Sequence, residues 1–274
     1  MNWNIHTMYF SPTDTTKTIV SGIANKLLQA GGGEKTIHTI DFTLPAGRKE
    51  PVFFTKDDLV VIGVPVYAGR VPNVLLKYLD SITGNGALAV AIVVYGNRDY
   101  DDALLELKDI LESHNFTVIA GGAFVGEHSF SDTLGGNRPD EKDMTLAADF
   151  AEKVYSKLSA NEPFQSIDVK GNRPYRRYYV PKDKDGQPVN DFRKITPKTN
   201  EEDCVDCKLC AEVCPMGSID FDDVSVVNGI CIKCCACIKK CPTGAKFFDD
   251  PNFLKHKYEL EVAFDRRSEP ETFV

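Results

Sequence analysis

The sequence predicts a doubly wound α/β domain, built on a five-stranded parallel sheet, followed by a small α+β domain. Two observations predict this organisation. Apolar strands alternate with amphipathic helices over residues 1–160, and one cysteine pattern occurs twice between residues 204 and 241. Continuous apolar strands that alternate with helices are typical of a parallel sheet covered by helices on both faces.

The first half of the predicted α/β domain contains two strands and one helix. Asn2–Phe10 is predicted as a strand that ends in a polar loop. Thr15–Ala30 carries apolar residues at helical spacing, and three glycines at residues 31–33 are expected to end this helix. Thr36–Ile40 is predicted as the second strand.

The second half of this domain contains three further strands. Leu59–Val64 and Leu88–Tyr95 are continuous apolar runs, and a fifth strand is expected to start at Thr117–Ala120. Pro72–Ser81 is predicted as a helix with proline in its first turn, and Tyr100–Ser113 as a helix with leucines along one face. The helix Asp140–Leu158 closes the domain. We predict five strands and five helices, of which the segments above account for all the strands and four of the helices, and these numbers suit the flavodoxin-like strand order 2-1-3-4-5.

The remaining chain divides into three predicted segments. Residues 161–195 are rich in Pro, Gly, Asn and charge, and we expect a linker that packs on the surface. Its arginines Arg173, Arg176 and Arg177 suit either a docking patch or a tether to the next domain, and we favour the tether. Residues 196–250 contain an internal repeat, each half with a short hairpin, a cysteine run and a helical turn. Residues 251–274 are expected to form a C-terminal arm or helix.

The cysteine runs are the most specific feature of the sequence. They read Cys-x-x-Cys-x-x-Cys-x-x-x-Cys-Pro at Cys204, Cys207, Cys210 and Cys214, and again at Cys231, Cys234, Cys237 and Cys241. This spacing is the ligand pattern of a bacterial-type ferredoxin with two [4Fe–4S] clusters, in which the fourth cysteine of each run ligates the other cluster. We therefore expect Cys241 to bind one cluster together with Cys204, Cys207 and Cys210, and Cys214 to bind the other together with Cys231, Cys234 and Cys237.

Two alternatives for the cysteines have less support. A zinc site needs four ligands and has no use for the third cysteine of each run. A disulfide framework suits secreted proteins, and the first residues show no secretory signal, so we expect a reduced, low-oxygen cytosol. The ninth cysteine, Cys235, breaks the spacing; we expect a non-ligand that can replace Cys234 if that residue is lost.

Composition restricts the partners. The chain has 274 residues and a net charge of −8, which argues against general nucleic-acid binding. No apolar run approaches about 18 residues, so no transmembrane helix is expected. A redox partner protein or a small-molecule electron acceptor remains the expected partner.

The loop after the first strand is a candidate phosphate site. Ligands of doubly wound sheets bind beyond the carboxyl ends of the strands. The hydroxyl groups of Ser11, Thr13, Thr15 and Thr16, together with amides at a helix N-terminus, suit a phosphate. The loop resembles the FMN-phosphate loop of flavodoxins, except that Asp14 stands where that family usually has glycine. Simple helix capping is the alternative.

Two further strand ends suit the flavin ring. In the loop after the third strand a tyrosine can cover the ring and a glycine permits close approach; its residues are Pro65, Val66, Tyr67, Ala68 and Gly69. In the loop after the fourth strand the backbone can bond the pyrimidine edge and a tyrosine can stack on the ring; its residues are Tyr95, Gly96, Asn97, Arg98 and Tyr100. A plain connection and a capped helix start are the respective alternatives.

The chain resembles the fused flavodoxin–ferredoxin proteins of the EFR-type ferredoxin family. The resemblance lies in the cysteine runs and in the segments Phe10-Ser11-Pro12-Thr13, Pro65-Val66-Tyr67-Ala68-Gly69-Arg70 and Tyr95-Gly96-Asn97-Arg98, and it spans most of residues 1–250. It implies FMN in the N-terminal domain and two [4Fe–4S] clusters behind it. It implies no particular substrate.

Two functions remain open. One is an FMN-dependent reductase of a small molecule, fed by its own clusters, with His128 as proton donor and Arg138 as the group that holds an anion. Both lie in the long loop after the fifth strand, and bonding to the loop's own backbone is the favoured alternative for each. The other is an electron carrier that docks on a partner protein. In either case the expected path runs from donor through the two clusters to FMN, or in reverse.

Overall fold

The computed structural model describes residues 3–33, 36–160 and 162–274. Its strands are β1 (Asn4–Tyr9), β2 (His38–Asp41), β3 (Asp58–Pro65), β4 (Leu88–Tyr95), β5 (Thr117–Val125), β6 (Lys198–Thr199), β7 (Lys246–Phe247) and β8 (Glu271–Phe273). Its α-helices are α1 (Thr15–Ala30), α2 (Asn73–Leu79), α3 (Ala103–Ser113), α4 (Glu141–Ser159), α5 (Leu209–Glu212), α6 (Ala236–Lys239) and α7 (Pro251–Ala263). Short 3-10 turns lie at Pro45–Arg48 and Phe192–Lys194.

A six-stranded sheet in the order β2-β1-β3-β4-β5-β8 forms the N-terminal part. β1 to β5 pair in parallel, which confirms the predicted flavodoxin-like order 2-1-3-4-5. One apolar core lies between the sheet and α1 and α4, and the other lies between the sheet and α2 and α3. Because both faces are covered, β3 and β4 are buried along nearly their whole length, as their apolar sequences require.

The prediction of five helices for this part was wrong. The described residues between β2 and β3 contain a 3-10 turn and no α-helix. Two prolines flank this connection, at Pro45 and Pro51, and prolines prevent helix continuation. Helix α3 starts at Ala103, later than predicted, because Asp101 has a left-handed backbone and its N–H donates to the Asp99 side chain. The predicted first strand begins at Asn2, which lies outside the described residues.

The cysteine unit, residues 196–250, repeats its backbone conformation but not its predicted hairpins. Left-handed residues occur at the same place in both cysteine runs, namely Asp206 and Lys208 in one and Lys233 and Cys235 in the other. We predicted one hairpin within each half. This was wrong for β6 and β7, the first and last strands of the unit, because they pair with each other across the two halves. β6 pairs antiparallel with β7, so the start of the unit is joined to its end.

The linker lies along the N-terminal domain. Arg173 pairs with Asp109, and Arg176 pairs with Asp101. The Tyr178 hydroxyl donates to a backbone carbonyl at the start of α2. The favoured tether of these arginines to the cysteine unit was therefore wrong, because the acceptors at hand are carboxylates in and before α3. Arg177 is exposed.

The C-terminal arm returns to the sheet. Helix α7 is capped by the Asp250 side chain, which accepts from the backbone N–H groups of Asn252 and Phe253. The chain then forms β8, which adds an antiparallel edge strand to β5. In the part of the chain that the structure describes, no helix combines the length and apolar character needed to cross a membrane.

Candidate redox site

The cysteines gather around two cavities. Cys204, Cys207, Cys210 and Cys241 line the first cavity. Cys214, Cys231, Cys234 and Cys237 line the second. Each cavity thus combines three cysteines of one run with the fourth cysteine of the other, which is the grouping that the sequence predicts.

Backbone geometry directs the sulfur atoms into these cavities. The left-handed residues of each run turn the chain between successive cysteines, so that all three can face one centre. The backbone N–H of Ser218 donates to Cys214 Sγ at 3.3 Å, a bond that would stabilise a thiolate. Burial raises the pKa of the Cys234 thiol to about 12. A thiolate at this position therefore needs a compensating positive charge, which an iron–sulfur core supplies.

The two cavities differ in exposure. Cys207 of the first set is exposed, and Cys204 and Cys241 are partly exposed. In the second set Cys234 is buried, and burial raises the pKa values of Cys231, Cys234 and Cys237. Cys214, Cys231 and Cys237 are partly exposed, so the two sets differ in that the first contains a fully exposed cysteine and the second does not.

Cys235 is buried in an aromatic cluster. It is 4% exposed and packs with Phe248 and Phe253. Its Sγ donates to the Lys233 carbonyl at 3.5 Å, and burial holds its pKa well above the usual range. Cys235 also borders the second cavity. The role of a non-ligand that packs beside the second site stays a prediction.

The loop after β1 has the features of a phosphate site. Asp14 has φ of 65°, the left-handed conformation that glycine adopts most easily, so it fits the place of the usual glycine. Ser11 Oγ accepts from the N–H of Lys17 at 2.9 Å. The N–H groups of Thr15 and Thr16, in the first turn of α1, have no acceptor among the described residues. Thr13 is partly exposed beside them.

The Asp14 carboxylate has a cationic partner. It is exposed and pairs with Lys240 of the cysteine unit at 2.8 Å. The charge that would oppose a phosphate is therefore neutralised.

The loop after β3 faces the second cysteine set. Tyr67 and Arg70 form a tight turn, with left-handed backbone at Ala68 and Gly69. Burial holds the pKa of Tyr67 well above its usual range, and the nearby thiols of Cys234, Cys235 and Cys231 raise it further. Val66 of this loop and Ile232 of the second run also pack against the same apolar core.

The other residues of this loop support its position. Pro65 ends β3, and the N–H of Val66 donates to Val94 in β4. The Ala68 carbonyl accepts from Tyr179 of the linker. A side chain at Gly69 would meet the Asp101 carboxylate, 2.4 Å from an added Cβ. The predicted reason for Gly69, approach of a flavin ring, is thus replaced by its positive φ and by Asp101.

The loop after β4 binds the C-terminal arm. The Asn97 side chain donates to the carbonyls of Phe264 and Arg266 and accepts from the N–H of Ser268. The Tyr95 ring packs against Tyr100, with centroids 5.7 Å apart. In this loop the sequence predicted contacts to a flavin, and the structure shows contacts to the arm.

Tyr100 is not free to stack on a flavin ring. Its ring is buried, and its hydroxyl donates to Glu271 of β8 at 3.0 Å. Arg98 pairs with Asp101 and lies over the Tyr179 ring. A side chain at Gly96 would strike the His128 ring, so glycine is required there by packing. The stacking role predicted for Tyr100 therefore finds no support.

His128 and Arg138 serve the structure of the long loop. His128 Nδ1 accepts from the N–H of Phe130 at 3.1 Å, and burial lowers its pKa to about 4, so the ring is neutral at neutral pH. Arg138 is buried and forms a two-pronged ion pair with Asp143, and its Nη1 donates to Ser268 in the arm. The predicted roles of proton donor and anion holder do not fit these environments, because both side chains are already engaged.

Replacement of Arg138 by lysine should destabilise the fold. Lysine keeps the charge but loses the planar fork that meets Asp143, which is 0% exposed. We expect the free energy of unfolding to fall by about 1–2 kcal/mol, measured by denaturant titration. The matched variant Lys142→Met removes an exposed pair with Glu269 and should change it by less than about 0.5 kcal/mol. Equal effects of the two variants would contradict the structural role.

The cysteine unit docks on the carboxyl edge of the sheet. Lys239 of α6 pairs with Glu127 and Asp132, and it donates to the Ser131 carbonyl at 2.9 Å. These residues lie in the loop after β5. With the Lys240–Asp14 pair, two consecutive lysines thus join the unit to loops after β1 and β5.

A second contact joins the unit to the turn after β2. Arg48 Nη2 donates to the carbonyl of Pro215, the residue after Cys214. Ile232, between two cysteines of the second run, packs against the core of the N-terminal domain. These contact residues were not predicted from the sequence, and the lysine pair before Cys241 is the signal that could have indicated a charged contact.

Comparison with known proteins supports the two parts separately. Residues 197–220 match the Fer4 family, described as a 4Fe-4S binding domain. No match to the chain is found among curated protein sequences. Similar solved structures include a flavodoxin from the domain Archaea, at 13% identity and a TM-score of 0.40, over 57% of this chain and 99% of that one. Another is the Fusobacterium nucleatum flavodoxin bound to flavin mononucleotide, at 18% identity and a TM-score of 0.38, over 56% and 98%.

A third similar structure is an NADH:FMN oxidoreductase in its apo form, at 16% identity and a TM-score of 0.41, over 59% of this chain and 92% of that one. The fold class of our chain rests on its own strand order. The chain therefore combines a flavodoxin-like domain with a 4Fe–4S binding segment, which fits the resemblance to fused flavodoxin–ferredoxin proteins. This combination is suited to electron transfer.

Proposed function

We propose that the chain is an electron-transfer protein that passes electrons between two [4Fe–4S] clusters and an FMN. The first cluster would be held by Cys204, Cys207, Cys210 and Cys241, and the second by Cys214, Cys231, Cys234 and Cys237. The grouping of these cysteines around two cavities supports this assignment.

One observation carries the proposal. The cysteine unit contacts the loops after β1 and β5 through Lys240 and Lys239, and Ile232 of the second run packs against the N-terminal core. These contacts support a second cluster near the carboxyl edge of the sheet, where a doubly wound domain binds its ligand.

The residues of the first loop fit an FMN phosphate. The free amides of Thr15 and Thr16 lie at the N-terminus of a 16-residue helix, where anions bind. Thr13 adds a partly exposed hydroxyl, and Asp14 supplies the left-handed turn while Lys240 neutralises its carboxylate. FMN, when bound, can accept one or two electrons, whereas each cluster exchanges one.

The exposure of the two cysteine sets supports a proposal about which cluster exchanges electrons with an external partner. Cys207 is exposed at the first cavity, so an external protein can approach this cluster. The second set contains no fully exposed cysteine, and Ile232 of the second run packs against the N-terminal core. We propose that the first cluster exchanges electrons with the external partner and that the second relays them.

Reduction of a small molecule at the flavin has less support. His128 is neutral and bonded to its own loop, and Arg138 is bonded to Asp143. Neither is available to a substrate. The linker also covers this edge, since Tyr179 bonds to Ala68 and lies beneath Arg98. These contacts favour the second candidate function, an electron carrier that docks on a partner protein.

Anaerobic purification with analysis of iron, sulfide and flavin tests the cofactors. We expect about eight irons, about eight sulfides and about one FMN per chain. Iron without FMN after incubation with excess FMN would contradict the flavin part of the proposal. About four irons would contradict the second cluster, and zinc in place of iron would contradict the whole proposal.

A further inference from the structure

Lys246 is a buried lysine in the wall of the first cavity. The residue is 2% exposed and lies in β7, opposite Thr199. Its side chain lines the same cavity as the first cysteine set. Among the described residues, the hydrogen-bond partner found for its ammonium is the neutral carbonyl of Val224. Burial of an ammonium in such surroundings is unfavourable unless a negative group lies nearby.

The internal repeat allows Lys246 to be compared with the residue at the equivalent position of the other half. Lys246 follows Cys241 by five residues, as Ile219 follows Cys214. Ile219 is also buried, and it lines the second cavity. The same position of the fold thus carries an apolar side chain at one cavity and a cation at the other. The position accepts an isoleucine, so packing alone does not require the lysine.

Lys246 and the first cysteine set share one cavity wall. Cys204, Cys207, Cys210 and Cys241 line this cavity together with Lys246. Because Lys246 is buried, water screens its charge little on the side of the cavity. Its side chain is therefore a cation held beside the sulfur atoms of the first set.

We propose that Lys246 is a positioned cation that raises the reduction potential of the cluster at the first cavity. The inference rests on the proposed function, since it requires a cluster there. A [4Fe–4S] core held by four thiolates is negative, and one-electron reduction adds a further negative charge without making or breaking a bond. A fixed cation beside it stabilises the reduced form more than the oxidised form, so the potential rises.

The test is an anaerobic redox titration of the full chain, followed by electron paramagnetic resonance. In Lys246→Ile, one of the two one-electron cluster steps should move to lower potential. We expect a shift of about tenfold in the equilibrium constant, equivalent to about 59 mV for one electron. Lys246→Arg should stay near the wild-type value. The matched control is Lys198→Met on the neighbouring strand, where an exposed lysine pairs with Asp249.

Two further variants make the outcome decisive. Ile219→Lys should raise the potential of the other step, because it places a cation at the second cavity. Lys246→Met keeps the unbranched chain and serves if the isoleucine variant does not assemble its clusters. Unchanged potentials in the Lys246 variants, with both cluster signals present, would overturn this inference alone. Absence of cluster signals from the wild-type chain would overturn the proposed function as well.

Discussion

Replacement of Cys214 by alanine is expected to remove the cluster held by the second cysteine run, although Cys214 belongs to the first. Cys214 lines the second cavity with Cys231, Cys234 and Cys237. The cluster at the first cavity should survive, because its ligands are all present. Bound iron should fall from about eight to about four per chain.

The identity of the lost cluster can be read from spectra. The remaining electron paramagnetic resonance signal of Cys214→Ala should match that of Cys231→Ser, which removes another cysteine of the second cavity, and differ from that of Cys207→Ser. Cys235→Ser serves as the control, since Cys235 packs with Phe248 and Phe253, and it should keep all its iron. If Cys214→Ala instead matches Cys207→Ser, the crossed assignment is wrong.

Reversal of the charge at Lys239 is expected to release the cysteine unit from the sheet edge. Lys239 Nζ contacts Glu127, Asp132 and the Ser131 carbonyl, and its side chain is only 15% exposed. A glutamate there would lose these contacts and repel both carboxylates. Loss of a partly buried pair of this kind costs about 2–4 kcal/mol, so the docked population should fall by about 100-fold relative to the open one.

Amide hydrogen exchange measures this release. Protection in the loop of residues 127–133 should drop in Lys239→Glu, while protection in β3 and β4 should stay unchanged. The matched control is Lys255→Glu on α7, where a partly exposed lysine pairs with Glu259. Equal protection of the loop in Lys239→Glu and the wild type would mean that the lysine does not hold the two parts together.

The sheet could be predicted because its central strands consist of apolar residues. Leu88–Tyr95 is apolar throughout, as a strand that is buried on both faces is expected to be. β8 could not be predicted in this way. It has three residues, and its pairing with β5 depends on where Asn97 and Arg138 hold the arm. A short strand of this kind is specified by tertiary contacts and carries no local pattern.

In the candidate site, too, features set by local sequence could be predicted and features set by tertiary contacts could not. Cysteine spacing is local, so the grouping of the cysteines around two cavities could be predicted from the sequence, whereas their role as cluster ligands stays a prediction. The environments of His128 and Arg138 depend on Phe130 and Asp143, and a side chain in a loop does not reveal whether a partner already binds it. The dock formed by Lys239 was missed for the same reason, since Glu127 and Asp132 lie far from it in the chain.

The central claim is that electrons pass within one chain, from the second cluster to the flavin beside Tyr67. The most direct test is anaerobic flash reduction of the FMN-loaded protein, with flavin absorbance followed at several protein concentrations. We predict that the flavin absorbance is bleached in a first-order process, with a rate constant that does not depend on protein concentration. A rate that rises in proportion to concentration, or clusters that stay reduced beside an oxidised flavin, would contradict the account.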